Sequence, residues 1–493
     1  MKLLNKSQIV FSSVLTAAIV IVSLLFHYPI QIVNALTLET MPEFGIHISV
    51  SRILFEPFLG LLLFFNRALY PITEFRFVLY WLLAIIIIYS IGKSLGLKNR
   101  QQRKSFIFSQ LVNLPIIAGL WFTVFVMMIF IPLPNNTIVN NSTNDILVNT
   151  HSHTEYSHDG LISQEGLWKW HKRNRFDAFY ITEHNNHNQS LKFVAAQRNN
   201  EFPGEPFVIC GEEFSGSNHL SLLGLKTDFK TKGLTDSMAV AMARADGAAV
   251  IVNHWFDGER KSLEYYKNLG SDGFEIENTA EDRTYNREVY KRIKVFCGEN
   301  DLIMNGGVDF HGYGNACSMW NAFEIPGWKN MDSQRKEEAI LNIIKTRDQG
   351  KLDVLLYNDR PYYEKKNLFF SPLFTVFNYF RTLNFFQVIS WIFWIFLFAL
   401  VGNSLSKKDE IANKFSWQRI VSVFGLLGAA FMLGLGVVYF SRIKVIVGFT
   451  EIYHEYSSLL FIIGSAFLIY AGVVLYFSQL TVGTKSGEWI KEK

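Results

Sequence analysis

Six apolar stretches, 8–27, 77–95, 107–132, 385–403, 417–440 and 455–478, bracket a polar middle in this chain of 493 residues. A bilayer core takes about 20 residues of α-helix, and a segment inside it must bond all its backbone polar groups internally. Each stretch therefore reads as a membrane span, and the chain as an integral membrane protein with a soluble insert. Composition agrees, with 49% hydrophobic residues, 18% charged residues and 44 Phe. The stretch 50–66 is poorer in apolar residues and carries Arg52 and Glu56. It reads as a re-entrant or interfacial segment, with a further span as the alternative.

This divides the chain into five parts. Residues 1–132 form an N-terminal transmembrane region of three or four spans, and 133–144 a polar linker rich in Asn and Thr. Residues 145–360 form the soluble domain, and 361–384 an interfacial segment mixing Phe and Tyr with Lys365, Lys366 and Arg381. Residues 385–493 form a C-terminal transmembrane region of three spans. Lys and Arg beside a span stay cytoplasmic. The basic flanks are Lys93 to Lys104, Lys407 to Arg419, and the tail with Lys485, Lys491 and Lys493. Their placement in the cytoplasm puts 133–384 on the outer face of the cytoplasmic membrane. No small-residue cleavage pattern follows the first stretch, which reads as an uncleaved anchor.

The formal charge of +4 gives no argument for nucleic-acid binding, and no basic stripe with interleaved aromatics tracks a nucleic-acid backbone. Cys210, Cys297 and Cys317 are the three cysteines. An odd number at irregular spacing is neither a disulfide framework nor a Cys-type zinc site, so histidines and carboxylates must supply any metal ligands. Nine of the twelve histidines fall between Ile146 and His311.

Short β-rich runs recur there at 146–149, 178–182, 207–210, 220–223, 248–252, 274–276 and 302–304. Helical patterns occupy 163–174, 234–245, 285–295 and 333–346, with Ser163 and Ser333 as N-caps. Strands alternating with helices argue a parallel α/β arrangement. In a parallel barrel the C-terminal strand ends share one face. Ligand-type residues follow those ends here, which one or two satisfied core histidines would not explain.

These residues resemble the PHP family, named for its polymerase and histidinol phosphatase members, over about residues 145–320. The carrying motifs are His151-Ser152-His153-Thr154, Ser157-His158-Asp159-Gly160, Thr182-Glu183-His184-Asn185, Gly211-Glu212-Glu213, His219 before Leu220, Asn253-His254 and Asp309-Phe310-His311. Trp255 stands where the family has Pro, and Glu183 where many members have Asp. The resemblance implies a distorted (βα)7 TIM-like barrel inserted between two sets of transmembrane helices, hydrolysing phosphoesters with two or three divalent metal ions. Carried over by motif, His151, His153, Glu213 and Asp309 hold one metal, and Glu213, His219 and His254 a second. Asp159, rather than His158, joins His184 and His311 at the third. Glu213, Asp309 and Asp159 are the catalytic carboxylates, with Glu213 bridging two metals so that they activate one water. Such ligands suit Zn, Mn or Fe.

Glu183, Glu212, Glu275 and Asn278 are candidates to support the ligating imidazoles. Arg260, Lys261 and Arg283 are candidates to grip phosphate. His187 reads as a loop residue and His171 as a surface residue of a helix. Trp255, Phe256, Trp320 and Trp328 either line a pocket or pack the core. The leading expectation is a membrane-anchored, metal-dependent phosphoesterase acting on a phosphate mono- or diester, soluble or lipid-linked. The alternative is a membrane sensor or transporter that uses the barrel as a ligand-binding module. The spans contain few interior charges, Arg52 and Glu56 being the main exceptions, and since intramembrane charge is the usual mark of a transport path, this weakens the transporter alternative.

Overall fold

The computed structural model describes residues 6–68, 71–255, 261–279, 287–361, 367–406, 417–446 and 448–483. The chain enters through helix α1 (Lys6–Leu25) and two short strands, β1 (Gln31–Asn34) and β2 (Phe44–His47). Helix α2 (Val50–Leu54), a π-helical turn at Glu56–Gly60 and α3 (Leu61–Asn66) follow, and then α4 (Pro71–Gly96) and α5 (Arg100–Phe130). The 50–66 segment is thus broken into short pieces, of which Glu56–Asn66 is apolar but below spanning length. Its Arg52 and Glu56 are both buried and pair at 3.4 Å. Tyr379 Oη donates to Glu56 Oε1 at 2.8 Å. Two opposite charges so paired neutralise each other inside the protein.

Strand β3 (Thr137–Asn140) falls within the stretch read as a linker and pairs antiparallel with β2. The soluble region then runs β4 (Asp145–Asn149), α6 (Gln164–Arg173), β5 (Ala178–His184), α7 (Asn188–Arg198), β6 (Phe207–Ser215) and β7 (His219–Leu223). It continues through α8 (Asp236–Ala245), β8 (Ala249–Val252), α9 (Leu263–Leu269), β9 (Gly273–Asn278), α10 (Arg287–Glu299) and β10 (Ile303–Gly307). Strand β11 (Met319–Glu324), α11 (Ser333–Lys345) and β12 (Leu352–Asn358) complete it. All seven β-rich runs are strands. Helix α6 is capped by Ser163, but α11 is capped by Asp332, whose side chain accepts from Arg335 N, so Ser333 is the first helical residue.

Ten strands form one mixed sheet curled into a half-barrel, in the order β1-β12-β11-β4-β5-β6-β7-β8-β9-β10. The pairs β4–β5, β5–β6, β8–β9 and β9–β10 are parallel, but β7 runs antiparallel to both neighbours. The reason is local. Only Gly216–Asn218 separates β6 from β7, and so short a turn can make a hairpin but not a crossover. Strand β1, from the N-terminal region, adds an edge by pairing with β12. No backbone ladder joins β10 to β4 or β11 among the described residues. The seam there is stitched by Asn321, which donates to Val148 O at 3.1 Å and Gly306 O at 2.8 Å and accepts from Gly306 N at 2.7 Å.

Side chains alternate across a strand, so each face has its own packing. Ile146, Tyr180, Ile209, Ile251 and Ile303 pack together with α11 on the inner face. Leu147, Cys210, Val250 and Phe274 pack outward with residues of α8, α9 and α10. Beyond the barrel come α12 (Ser371–Arg381), α13 (Phe385–Ser406), α14 (Trp417–Ile443) and α15 (Glu451–Gly483). Six of the helices, α1, α4, α5, α13, α14 and α15, are long and apolar enough to cross a membrane.

Candidate metal centre

The sheet gathers nine ligand-type side chains at one end of the barrel. His151 and His153 leave the end of β4, His184 closes β5, and Glu213 lies within β6. His254 follows β8, and Asp309 and His311 follow β10. His219 opens β7 rather than ending it, and the reversed direction of that strand brings its start to the same end. Parity along β6 selects between the paired acids. Glu213 shares the inner face with Ile209, whereas Glu212 shares the outer face with Cys210.

Glu213 stands at the middle. Its Oε2 lies 3.2 Å from His151 Nε2, His153 Nε2 and His184 Nδ1. Its Oε1 lies 3.0 Å from His219 Nδ1 and 3.1 Å from His254 Nε2, and accepts from Asn253 Nδ2 at 2.8 Å. Asp309 Oδ1 approaches His151 Nε2 at 3.2 Å and His153 Nε2 at 3.1 Å. Asp159 Oδ2 lies 3.2 Å from His184 Nε2 and 3.3 Å from His311 Nε2. His158 is 65% exposed and 3.8 Å from Asp159, outside the cluster.

Three groups are close enough to share an ion: His151, His153, Glu213 and Asp309; His153, Asp159, His184 and His311; and His184, Glu213 and His219. The first is the set expected from the motifs. The second is the expected third site with His153 added. In the remaining group His184 stands where His254 was expected, although His254 still faces Glu213 Oε1. A tetrahedral ion with bonds of about 2.0–2.1 Å has its ligand atoms roughly 3.4 Å apart, which the 3.1–3.2 Å spacings of the first group approach. His153 Nε2 and Asp309 Oδ1 are moreover buried without a hydrogen bond of proper geometry. Donor atoms that converge on one point without bonding one another fit a cation between them.

Charge tells the same story. Burial would drive His153 and His151 toward neutrality, yet the adjacent Asp309 and Glu213 hold His153 up to about 10 and His151 well above the usual range. Burial would likewise raise the carboxyls, but His151 and His184 hold Glu213, and His151 and His311 hold Asp309, well below theirs. Burial also opposes charge on Asp159, and hydrogen bonds from His184 and His311 outweigh it. The buried anions require positive charge beside them, as protons on imidazole or as metal.

The supporting residues divide by strand face. Glu275 accepts from His151 Nδ1 at 2.8 Å and from His254 N at 3.1 Å. Asn278 donates to Asp309 Oδ2 at 3.2 Å and Glu275 Oε2 at 3.3 Å. Glu183 instead holds the Thr154 backbone N–H at 3.0 Å and the Thr154 hydroxyl. Glu212 binds His187 and Thr231 behind the sheet. His187 is thereby a locked, buried residue at the start of α7 rather than a plain loop histidine. His171 is not on the surface either. It is fully buried, stacks on Phe179 at 3.9 Å and bonds Leu167 O and Asn149 Nδ2, and burial pushes it down to about 3. The apolar inner side of α6 explains this: Leu167 and Trp170 flank it.

Arg260, Arg283 and Phe256 lie outside the described residues. Lys261 turns to Tyr265, its Nζ 5.4 Å from that ring, and lines a groove between α9 and α10 that contains none of the ligands. Trp255, Trp320 and Trp328 are all core residues. Ser157 was not foreseen, although its hydroxyl meets His153 Nδ1 at 3.0 Å and accepts from His184 N at 2.9 Å. Its place at the head of the Ser157-His158-Asp159-Gly160 motif is the available signal. Glu155 was also missed. It is held by Arg442 of α14, with Nη2 2.8 Å from Oε1 and Nε 3.1 Å from Oε2, a pairing across 287 residues that no local pattern signals.

No protein-family model and no curated protein matches the sequence. Solved structures match the central region. A two-domain protein from Bacteroides vulgatus containing a predicted PHP-like metal-dependent phosphoesterase is 16% identical, with a TM-score of 0.31, over 43% of this chain and 65% of its own, just under two thirds of its length. PsfC from Pseudomonas syringae is 16% identical, with a TM-score of 0.31, over 42% of this chain and 98% of its own. An amidohydrolase from Chromobacterium violaceum with bound sulfate and no metal is 12% identical, with a TM-score of 0.28, over 38% of this chain and 96% of its own. The likeness concerns the chain path of the α/β region that the long apolar helices flank, and the chemistry of the centre is read from its own side chains.

Proposed function

We propose that the protein is a membrane-embedded, metal-dependent phosphoesterase whose centre works at the outer face of the cytoplasmic membrane. The observation that carries the reading is the position of Glu213, which turns one carboxylate oxygen to His151, His153 and His184 and the other to His219 and His254. A carboxylate so shared can join two metal sites. His151, His153, Glu213 and Asp309 would hold one ion, Glu213, His219 and His254 a second, and Asp159, His184 and His311 a third. Zn, Mn and Fe all suit these donors. When bound, such ions supply Lewis acidity toward phosphoryl oxygens and make water a nucleophile near neutral pH.

The chain's own residues do the positioning. Glu275 accepts the Nδ1 proton of His151 and so leaves its Nε2 lone pair for the centre. Asp309 O does the same for His311 Nδ1 at 2.9 Å. Asp159 and His219 are among the more open ligands, with side chains 29% and 35% exposed, and they mark the mouth where an ester would enter. In the hydrolysis, water's oxygen forms the new bond to phosphorus, the ester P–O bond breaks, and the departing alcohol ends with the proton. The outer-face placement is supported by the basic residues Lys93, Lys98, Arg100, Arg103 and Lys104, which cluster at the α4–α5 turn. The opposite end of α5 meets the domain, where Gly314 N donates to Ile129 O at 3.1 Å.

The test is to purify the full chain in detergent, measure bound metal, and assay p-nitrophenyl phosphate and bis(p-nitrophenyl) phosphate. We expect metal-dependent turnover of one of them, lost together with metal in the H151A/H153A double variant. Folded, metal-loaded protein that hydrolyses neither ester would overturn the reading in favour of a binding module.

A further inference from the structure

Two of the loops that carry ligands rest on membrane helices. In the first, two residues beyond His153, Glu155 is gripped by Arg442 of α14, bonded by Tyr453 Oη at 3.3 Å, and accepts from Phe449 N at 2.9 Å. In the second, two residues beyond His311, the Tyr313 ring lies 6.0 Å from Phe130 of α5 and 5.9 Å from Tyr456 of α15. Both ligand-bearing loops therefore lie against the ends of helices long and apolar enough to cross a membrane.

Beside the second loop lies a cavity of about 420 Å³, within the ~300–1,000 Å³ usual for small-molecule sites. Phe130 and Leu133 at the end of α5, Leu435 and Val438 of α14, and Trp170 and Tyr313 of the domain supply apolar walls. Phe310, Gly312 and Tyr313 line it while His311 does not, so the cavity and the metal cluster lie on two sides of one loop. Lys169 and Arg173, both exposed on α6, also line it; Lys169 Nζ pairs with Glu165 Oε1 at 2.6 Å, so Arg173 carries the net positive charge of this rim. Val438, 58% exposed on a spanning helix, leaves the cavity open toward lipid.

We propose that this cavity receives the apolar chain of an anionic membrane lipid whose headgroup phosphoester is the bond presented to the metal centre. The assignment rests on the phosphoesterase reading and names its substrate class. A soluble phosphate ester would have no use for apolar walls built partly from long apolar helices, and a neutral lipid none for Arg173. An amphiphile uses both, with its chain held between α5 and α14 and its phosphate at the level of His311.

The experiment uses the full chain in lipid nanodiscs and two readouts. Dioleoyl phosphatidic acid with a diazirine in one acyl chain is photolysed on metal-free protein, and the labelled peptides are mapped. Turnover by metal-loaded protein is compared for dioleoyl and dibutyryl phosphatidic acid, dioleoyl phosphatidylglycerol and p-nitrophenyl phosphate. We expect label on residues 128–133 and 435–439, and a KM at least tenfold lower for a dioleoyl lipid than for the dibutyryl one. The L435W/V438W variant, which fills the cavity, should lose most of the label and raise KM for the dioleoyl lipid at least tenfold more than that for p-nitrophenyl phosphate. The K169Q/R173Q variant, altered only at exposed positions, should weaken labelling in the same direction. Label elsewhere, or label in the cavity with no preference for long chains, would overturn the proposal. Failure of all esters to turn over would remove the phosphoesterase reading, and the substrate assignment with it, whatever the label shows.

Discussion

Glu275 offers the sharpest test of whether the imidazoles of this centre are ligands. It sits on the inner face of β9, fully buried, and accepts from His151 Nδ1 at 2.8 Å, from His254 N at 3.1 Å and from Asn278 Nδ2 at 3.3 Å. It touches no other carboxylate of the cluster in those bonds, so its removal acts through His151 and His254. A hydrogen bond to a charged group contributes about 1.5–3 kcal/mol, and loss of a carboxylate behind a ligating histidine typically weakens metal binding about 10–100-fold. These agree, since tenfold is about 1.4 kcal/mol. E275Q keeps an acceptor for His151 but loses its charge, and should weaken Zn or Mn binding about tenfold. E275A also leaves all three N–H donors without this acceptor, that of His151 fully buried, and should approach about 100-fold. Chelator-competition titration on the full chain gives the affinities, and circular dichroism checks the fold. If both folded variants bind metal within about twofold of wild type, His151 is a structural histidine and the centre has been misread.

Four further outcomes follow from the same contacts. An added Cβ at Gly307 would overlap Glu275 Oε1, so G307A should reproduce the E275Q defect without altering any ligand. His151 and His153 are held protonated near neutral pH when no metal is present, so loading must displace protons. Apparent affinity should rise about tenfold per pH unit for each proton displaced between pH 6 and 8, and calorimetry in buffers of different ionisation heat should count them. His171 is lowered to about 3 by burial, so the folded state binds fewer protons than the unfolded one and loses stability as pH falls from about 6.5 toward 3. H171Q should flatten that loss by about 2 kcal/mol between pH 6.5 and 5, measured by denaturant unfolding. R442Q leaves Glu155, only 5% exposed, without its guanidinium partner. It should raise KM for an ester more than it lowers bound metal, and an unchanged KM would show that the clamp does not position the Thr154–Tyr156 loop.

The parts of this architecture that local chemistry encodes were legible in the sequence. Long apolar helices announce themselves by length and apolarity, and the strands by their short β-branched runs. The converging side chains were legible because each sits in a short motif beside a strand or within one, and Asp159 lies in the cluster with 29% exposure while His158 is 65% exposed. The supporting acids were half legible. Counting parity from Glu213 would have sent Glu212 outward, and the apolar pattern of β5 would have done the same for Glu183, since Phe179 and Ile181 pack outside the sheet. What the sequence could not show was pairing at long range. Strand β1 joins β12 across more than 300 residues, and its four residues, QIVN, carry too little signal to be told from a loop. Arg442 on α14 gave no sign that its partner was Glu155.

That last contact changes what the membrane helices are for. One span would hold a domain at a membrane, and six are not needed to do so. A tether, however, fixes only distance, whereas the contacts here fix orientation. Arg442, Phe449 and Tyr453 hold the loop after His153, while Ile129 and Phe130 hold the loop after His311. Two loops from opposite ends of the chain order of the barrel are thus pinned to a common frame of α5, α14 and α15. Rotation of the barrel about either contact alone is blocked by the other. The buried Arg52–Glu56 pair, bonded by Tyr379 of α12, likewise fastens the N-terminal helices to the C-terminal ones. The long apolar helices are then an orienting frame for the candidate metal centre, packed against its loops.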